Sequence, residues 1–237
     1  MAGLAKPAAS SKVADKPVKP SGVKLIAIRA ADFRSLTNIE IMLNDLTVLV
    51  GANNAGKTSL LDAVQFAIGA GRRLLGKEDI RLANDEADVP RDRRAIVDIL
   101  LRPVDGDGLI IESFPGGSFW TGLWGTGIAQ DDEQNDMVGM RSVLEWSEIY
   151  GDYRTTRKFL KKWKPFADWQ NSEVGDTVGA ADIEPIALHY IDAKRDLEDD
   201  LRTRGSFWRR LTDDLGLSDA DVQKLEEALS DINKTLD

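Results

Sequence analysis

One stretch of this chain combines the residue types and the spacing that phosphate chemistry requires. Residues 51–58 read Gly-Ala-Asn-Asn-Ala-Gly-Lys-Thr, a complete match to G-x-x-x-x-G-K-[ST]. The glycines let the backbone turn so that successive N–H groups point at a phosphate chain. Lys57 would reach the β- and γ-phosphates, and the Thr58 hydroxyl would complete a Mg²⁺ shell. The residues therefore predict a nucleoside triphosphate site of the P-loop type.

The elements beside this loop fit that chemistry. Residues 46–50 (LTVLV) form a short apolar run rich in β-branched residues, which is typical of a central parallel strand buried on both faces. From Lys57 the spacing changes to that of an amphipathic helix, and the helical pattern stops at residues 69–71. A helix N-terminus directly after the loop adds partial positive charge. The alternative is an ordinary glycine-rich strand-to-helix turn.

Three segments differ in composition. Residues 1–22 are rich in Ala, Lys, Pro and Ser and predict a disordered basic tail without a secretory signal. Residues 23–191 predict one lobe with a β-rich insertion, and residues 192–237 a helical segment leading toward an arm or dimerisation region. Besides 46–50, the predicted strands are 23–28, 39–43, 95–101, 109–114, 141–146, 153–163 and 186–191.

The composition excludes several classes of protein. The 237 residues carry a net charge of -9, and no apolar run approaches the roughly 18 residues of a membrane-spanning helix. With no cysteine, disulfide scaffolds, thiolate zinc sites and cysteine nucleophiles are excluded, and a reducing, cytoplasmic location is predicted. The single histidine, His189, makes multi-histidine metal sites improbable. Because it lies within an apolar run, we expect a structural role for it.

The sequence around the loop resembles a known group of ATPases. The segment LIAIRAADFRSLTNIEIMLNDLTVLVGANNAGKTSLLDAVQFAIG resembles the N-terminal lobe of ABC-type ATPases of the RecF and chromosome-maintenance (SMC) group. The Asn53-Asn54 pair is most similar to the OLD (overcoming lysogenization defect) family of ATP-dependent nucleases. The later stretch IALHYIDAKRDLEDDLRTRGSFWRRL also resembles the OLD-type ATPase domain.

The resemblance implies a fold, ligands and a set of site residues. The fold is an α/β P-loop ATPase lobe of the ABC type, with a mixed sheet, an antiparallel β-rich portion and C-terminal helices. ATP with Mg²⁺ is the implied ligand, with Thr58 on the metal. Arg34 would hold phosphate or adenine, the alternative being a surface arginine in a turn, and Asn53 would lie near the γ-phosphate. The implied nucleotide-binding residues are Arg34, Gly51, Asn53, Asn54, Ala55, Gly56, Lys57, Thr58 and Ser59.

Two parts that such an ATPase needs are missing after Thr58. The sequence has no Leu-Ser-Gly-Gly-like signature and no run of four apolar residues followed by Asp-Glu. Asp192 could face magnesium but is better explained as a helix N-cap, and Glu112 as the end of a strand. Arg195 stands where the family has an arginine, and a salt bridge to Asp192 or Asp199 explains it equally well. We therefore expect an N-terminal portion that hydrolyses ATP only with a second lobe.

The end of the chain predicts a partner. Apolar residues at 222, 225, 229, 232 and 236 form a seam spaced for a partner helix, the alternative being a plain amphipathic helix. The resemblance implies a homodimer or higher oligomer, together with a C-terminal ATPase and Toprim nuclease portion or a partner subunit carrying them. Nuclease activity would not lie in this chain.

Three other features have competing interpretations. Arg154, Arg157, Lys158, Lys161, Lys162 and Lys164 form a run without acidic residues, which suits either DNA contact or a solvated strand face. Residues 131–136 are acidic but lack the frame of a calcium loop, so we expect an exposed loop. The six tryptophans are expected in the core of the β-rich lobe rather than in a ligand cage.

Three functions compete. The first is the ATP-binding lobe of an OLD-like, ATP-dependent DNA endonuclease system serving phage defence. The alternative is a nucleotide-gated RecF- or SMC-like scaffold for DNA repair or chromosome organisation, without nuclease activity. The third is a structural subunit that retains the loop without binding nucleotide.

Overall fold

The structure is a computed structural model that describes residues 21–53, 55–69 and 75–189. The chain divides into two compact units, residues 1–186 and 187–237, and only 187–189 of the second belong to the described part. The predicted basic tail and the predicted helical segment from 192 lie outside the described residues, apart from 21 and 22. The boundaries proposed for them stay predictions.

An antiparallel sheet organises the first unit. Every pair of neighbouring strands in the described residues is antiparallel, in the order β2-β1-β3-β5-β6-β7, with the short β4 added to β5. The strands are β1 (Gly22–Phe33), β2 (Leu36–Met42), β3 (Ala95–Val104), β4 (Ala129–Gln130), β5 (Asp136–Ser147), β6 (Asp152–Leu160) and β7 (Val174–Thr177).

The central strands are those richest in apolar residues. β3 (AIVDILLRPV) is buried over nearly its whole length, and β1 is buried from Ala27 to Ala31. β5 and β6 form the predicted hairpin, whose turn holds Gly151 at φ 61. The predicted strands at 23–28, 39–43, 95–101, 141–146 and 153–163 therefore all lie in or mostly within strands, with ends displaced by a few residues.

One face of the sheet is covered by helix α1 (Lys57–Ile68), as the helical spacing predicted. Leu60, Ala63 and Ala67 are buried, and Phe66 stacks on Phe33 of β1 with ring centroids 5.6 Å apart. This contact fixes the helix, and hence the loop that precedes it, against the end of β1.

The opposite face is covered by a 3-10 turn, Phe166–Asn171. Its Trp169 is 1% exposed and donates its indole N–H to Asn38 Oδ1 at 2.9 Å. Beneath it, Arg141 binds both carboxylate oxygens of Asp98 at 2.8 Å and the Trp169 carbonyl at 2.6 Å. Burial raises the pKa of Asp98, and the hydrogen bonds from Arg141 oppose that shift. The buried pair thus ties β3, β5 and the 3-10 turn together.

Two predicted strands are wrong. Residues 46–50 form no strand, and Leu46, Val48 and Val50 are 80%, 71% and 92% exposed. A buried parallel strand needs neighbours on both sides, and no described strand pairs with this segment. Residues 109–114 contain a single bridge, from Ile110 to Val104, because glycine and aspartate before it direct the chain into a turn.

The structure differs from the prediction in smaller ways around residues 119–124 and 180–189. The described part of the predicted strand 186–191, residues 186–189, contains no strand. Two short helices without a clear periodic signal are present, α2 (Phe119–Trp124) and α3 (Ala180–Ile183). No helix within the described residues has the length and apolarity needed to cross a membrane.

The exposure of residues 46–50 gives a first prediction. Val48→Ser should change the free energy of unfolding of this chain by no more than about 0.5 kcal/mol, because the side chain is already in water. The matched control is Val97→Ser on β3, where the side chain is fully buried and the loss should be about 2 kcal/mol or more. Urea unfolding measures both. Equal losses at the two positions would show that residue 48 is packed.

Candidate functional site

Residues 51–59 form a loop that runs directly into α1. The Ala55 N–H donates to the Ala52 carbonyl at 3.2 Å, and the Leu60 N–H donates to the Gly56 carbonyl at 2.9 Å as the helix begins. Gly56 has φ 87, in the left-handed region. Asn54 lies outside the described residues. The chain therefore reverses within the loop and presents the first turn of α1, as the motif predicts.

Gly56 is required by its surroundings as well as by its backbone angle. A Cβ at this position would lie 3.1 Å from Leu36 Cδ2 and 3.3 Å from Ser35 Oγ. Both residues belong to the turn and strand that follow β1, so the loop is pressed against the end of the sheet. This packing fixes where the loop stands relative to the β1–β2 turn.

Lys57 is held by the loop itself. Its ammonium donates to the Gly51 carbonyl at 2.6 Å and to the Ala52 carbonyl at 2.7 Å. Both acceptors are neutral, and a charged acceptor forms roughly twice as strong a hydrogen bond with an ammonium. Lys57 therefore stands inside the curve of the loop with acceptors that a phosphate oxygen can replace.

The N-terminus of α1 has the properties of an anion site. Its first turn contains no acidic residue, and no side chain of the described residues caps it. The first N–H groups of a helix have no partner within the helix and carry partial positive charge. Thr58 is exposed there, and the Ser59 hydroxyl lies 2.7 Å from that of Ser35. The N-terminus of α1 and the Lys57 ammonium thus bring positive charge to the same part of the loop.

The exposed Thr58 hydroxyl also fits a magnesium ion bound to phosphates. Mg²⁺ keeps several waters and is usually held by only one or two protein oxygens together with the phosphates of a nucleotide. Within the described residues, no group of three His, Cys, Asp or Glu side chains could hold a metal on its own. The single Thr58 hydroxyl fits an ion that would arrive with the phosphates of a nucleotide.

Arg34 occupies the turn between β1 and β2, with φ 49. Its Nε donates to Asp79 Oδ1 at 2.8 Å, and its Nη1 contacts Asp62 of α1. Sequence reasoning placed this guanidinium on phosphate or adenine. In the structure, two carboxylates already hold two of its nitrogens.

A surface cavity of about 820 Å³ lies beside this turn. Three of its lining residues, Ile80, Leu82 and Val89, are apolar, and Leu82 is 49% exposed. Ser59 connects the cavity to the first turn of α1. An apolar wall next to an anion site suits a flat, largely apolar ring attached to phosphates. The remaining lining residues are Arg34, Ser35, Lys77, Glu78 and Asp88.

Sequence reasoning missed this wall entirely. Residues 77–89 contain no periodic pattern and no motif, and they come close to the loop because Ile80 pairs with Phe33 at the end of β1 and Asp79 binds Arg34. The Lys77–Asp88 ion pair stabilises the segment, and the hydrogen bond from Lys77 lowers the pKa of Asp88. The available signal was the alternation Ile80-Arg81-Leu82 among charged residues.

The basic run on β6 is divided in the structure. Lys161, Lys162 and Lys164 pair with Glu173, Asp132 and Asp168. Arg157 turns inward to the Phe66 carbonyl, and burial lowers its pKa. Arg154 and Lys158 are left exposed on β6. Arg154 and Lys158 are therefore the exposed cations of the run that form no ion pair within the described residues, while Lys161 and Lys162 are exposed but paired.

The acidic loop 131–136 is organised by its first residue. Asp131 accepts from the backbone N–H groups of Glu133 and Asn135 and pairs with Arg102. The hydrogen bond from the Asn135 backbone, followed by the hydrogen bond from Arg102, lowers the pKa of Asp131 to about 2. The carboxylate thus closes a turn, in agreement with the expected loop.

The other candidates divide into three groups. Trp120, Trp124 and Trp169 are buried, which confirms the expected core role for these three. His189 is exposed, and the strand predicted around it does not form in the described residues, so its expected structural role stays a prediction. The candidates at 192, 195, 199 and 208, and the seam from 222 to 236, lie outside the described residues.

Comparisons with known proteins agree with this geometry. Residues 24–120 match the family described as AAA ATPase domain, a span that runs from β1 through the 51–59 loop and α1 into α2. No curated protein matches the sequence. The predicted α/β class with an antiparallel β-rich portion is confirmed: the described residues combine helix α1 with an antiparallel sheet, and the match to an ATPase domain covers residues 24–120. The predicted C-terminal helices lie outside the described residues.

Two solved structures are also similar. One comes from a study of ATP-driven dimerization and DNA-stimulated activation of SMC ATPases, and its sequence is 19% identical to this chain. The alignment covers 81% of this chain and 98% of that chain, with a TM-score of 0.42. The other is the recombination mediator protein RecF with ATP, 14% identical, covering 64% of this chain and 30% of that chain, with a TM-score of 0.33.

Proposed function

We propose that this chain is the ATP-binding lobe of an OLD-like, ATP-dependent DNA endonuclease system that serves phage defence in the cytoplasm. The observation that carries the nucleotide part is the loop of residues 51–59. There Lys57 and the uncapped first turn of α1 face one place beside a cavity with an apolar wall. The nuclease part rests on the resemblance of the sequence to the OLD family.

In this proposal, nucleotide binding replaces hydrogen bonds within the loop by hydrogen bonds to phosphates. The N–H groups of residues 55–59 bind the phosphates, and Lys57 leaves the Gly51 and Ala52 carbonyls for phosphate oxygens. Thr58 holds the magnesium ion, whose positive charge neutralises the phosphates. The nucleoside lies against the exposed side chain of Leu82 in the adjoining cavity.

Hydrolysis needs groups from outside this chain. The sequence after Thr58 has neither the signature pattern nor the apolar-run-plus-Asp-Glu pattern. Asp62, the carboxylate on α1, is engaged with Arg34. We propose that a second lobe provides the missing carboxylates on strands that pair with residues 46–50, whose exposed Leu46, Val48 and Val50 have the composition of a strand buried on both faces.

The proposed partners follow from the signature and carboxylate patterns that are missing after Thr58. A C-terminal ATPase and Toprim portion, on a partner subunit or on a longer form of the chain, would supply the second lobe and the nuclease. ATP would promote association of two such heads into a homodimer or higher oligomer. DNA contact by this lobe would use Arg154 and Lys158, the cations of the basic run that point outward.

Steady-state ATP turnover tests the proposal. We expect this chain alone to bind ATP but to turn it over far more slowly than about 1 per second, a rate ordinary for a complete enzyme. Adding the proposed C-terminal ATPase and Toprim portion should raise turnover and bring DNA cleavage. Rapid turnover by this chain alone would contradict the account. Turnover without DNA cleavage in the assembled system would instead favour the RecF- or SMC-like scaffold.

A further inference from the structure

The turn between β1 and β2 joins the three elements that surround the proposed nucleotide site. Ser35 contacts Ser59 on α1 through their hydroxyls, 2.7 Å apart. The Arg34 N–H donates to the Asp79 carbonyl at 2.8 Å, and the Arg81 N–H donates to the Asp32 carbonyl at 2.8 Å. The turn therefore connects the end of the sheet, the first turns of α1 and the segment that lines the cavity.

The Arg34 side chain links α1 and the cavity segment a second time, through ion pairs. Its guanidinium bridges Asp79, which is 0% exposed, and Asp62, which is 8% exposed. Asp79 Oδ2 also accepts from the Gly76 N–H at 3.2 Å. Each carboxylate belongs to a different element, so Arg34 holds the cavity wall to the helix whose N-terminus would bind the phosphates.

We propose that Arg34 is a positioning residue that acts through Asp62 and Asp79, fixing the cavity wall against α1 and so setting the affinity for the nucleoside part of the nucleotide. This rests on the proposed function, since it assigns a role within the same site. An arginine is suited to it because a planar guanidinium presents donors in fixed directions to two acceptors. A lysine ammonium, as a point charge, does not hold the two carboxylates at a fixed spacing.

The proposal separates the two halves of the ligand. Phosphate contacts depend on Lys57 and the first turn of α1, to which the Arg34 side chain forms no hydrogen bond in the described residues. The apolar wall at Ile80 and Leu82 depends on the segment that Arg34 holds. Loosening the wall should therefore weaken nucleoside binding and leave bare phosphate binding intact.

The experiment measures three ligands by competition against a fluorescent ATP analogue: ATP, adenosine and inorganic tripolyphosphate with magnesium. Arg34→Lys should lower the affinities for ATP and adenosine by the same factor, about tenfold, because one charge-assisted hydrogen bond is lost. The affinity for tripolyphosphate should change less than twofold. Asp79→Asn should reproduce this pattern. The double variant should be no weaker than the stronger single one, because both changes break one connection.

Other outcomes overturn the proposal. If tripolyphosphate and ATP weaken together while adenosine does not change, Arg34 contacts phosphate directly. If all three ligands weaken equally in both variants, the contacts only maintain the fold. Retained tripolyphosphate binding is itself the proof of folding in each variant. If the unaltered chain binds none of the three ligands, or if Lys57→Ala leaves ATP binding unchanged, the proposed function fails instead.

Discussion

Replacing Lys57 with alanine should weaken the binding of MgATP by about 10- to 100-fold. The ammonium gives up two neutral carbonyl acceptors for charged phosphate oxygens, and a hydrogen bond to a charged group contributes about 1.5–3 kcal/mol, or about one to two powers of ten in affinity. Fluorescence titration with an ATP analogue measures the effect. The stability of the free protein should change little, because the side chain contacts only loop carbonyls.

The matched control is Lys158→Ala. Lys158 is an exposed cation on β6, outside the loop and the cavity, so its removal changes the net charge by the same amount as the removal of Lys57. We expect less than a twofold effect on nucleotide affinity. Equal losses in the two variants would mean that overall charge, rather than the loop, attracts the nucleotide. If neither variant lost nucleotide affinity, Lys57 would not be part of the binding site.

Gly56→Ala should damage both the fold and the site. A residue other than glycine at φ 87 is strained by about 1–3 kcal/mol, and the new methyl group would also meet Leu36 at 3.1 Å and Ser35 at 3.3 Å. Relief of this contact would move the loop away from the β1–β2 turn. We expect a lower urea midpoint and a loss of ATP affinity of at least tenfold, because the N–H groups of the loop lose their convergence.

Gly108→Ala distinguishes the effect of backbone strain from the effect of packing against Leu36 and Ser35. Gly108 has φ 83, nearly the angle of Gly56, but apart from its chain neighbours no atom of the described residues lies within 4 Å of the position that its Cβ would take. Backbone strain should therefore lower stability at both positions, while only Gly56→Ala should affect ATP. If the two variants lost ATP affinity to the same degree, the effect would come from general destabilisation, and the packing of the loop against Leu36 would be irrelevant.

The local part of the site could be predicted from the sequence. Loop residues 51–58 and helix α1 are encoded by glycine positions and by a helical spacing that ends at Gly69. Both depend on neighbours along the chain, as does the β5–β6 hairpin around Gly151. Such features need no knowledge of distant contacts, and the structure places them within a few residues of their predicted bounds.

The parts that depend on distant neighbours could not be predicted. Residues 46–50 have the composition of a buried strand, but composition does not say whether partner strands lie beside them, and the described residues provide none. The cavity wall at Ile80 is brought to the loop by pairing with Phe33, 47 positions earlier in the numbering. Nothing local in the sequence revealed that Asp62 and Asp79 would hold Arg34, whose implied contact with phosphate or adenine stays a prediction.

The central claim is that residues 51–59 bind the phosphates of ATP, and calorimetric titration of MgATP into the unaltered chain tests it most directly. The account predicts saturable binding with one nucleotide for each chain. It further predicts that inorganic tripolyphosphate with magnesium competes for the same site, since Lys57 and the first turn of α1 contact only phosphates. The absence of any saturable heat at millimolar MgATP, or binding that tripolyphosphate fails to displace, would contradict the account.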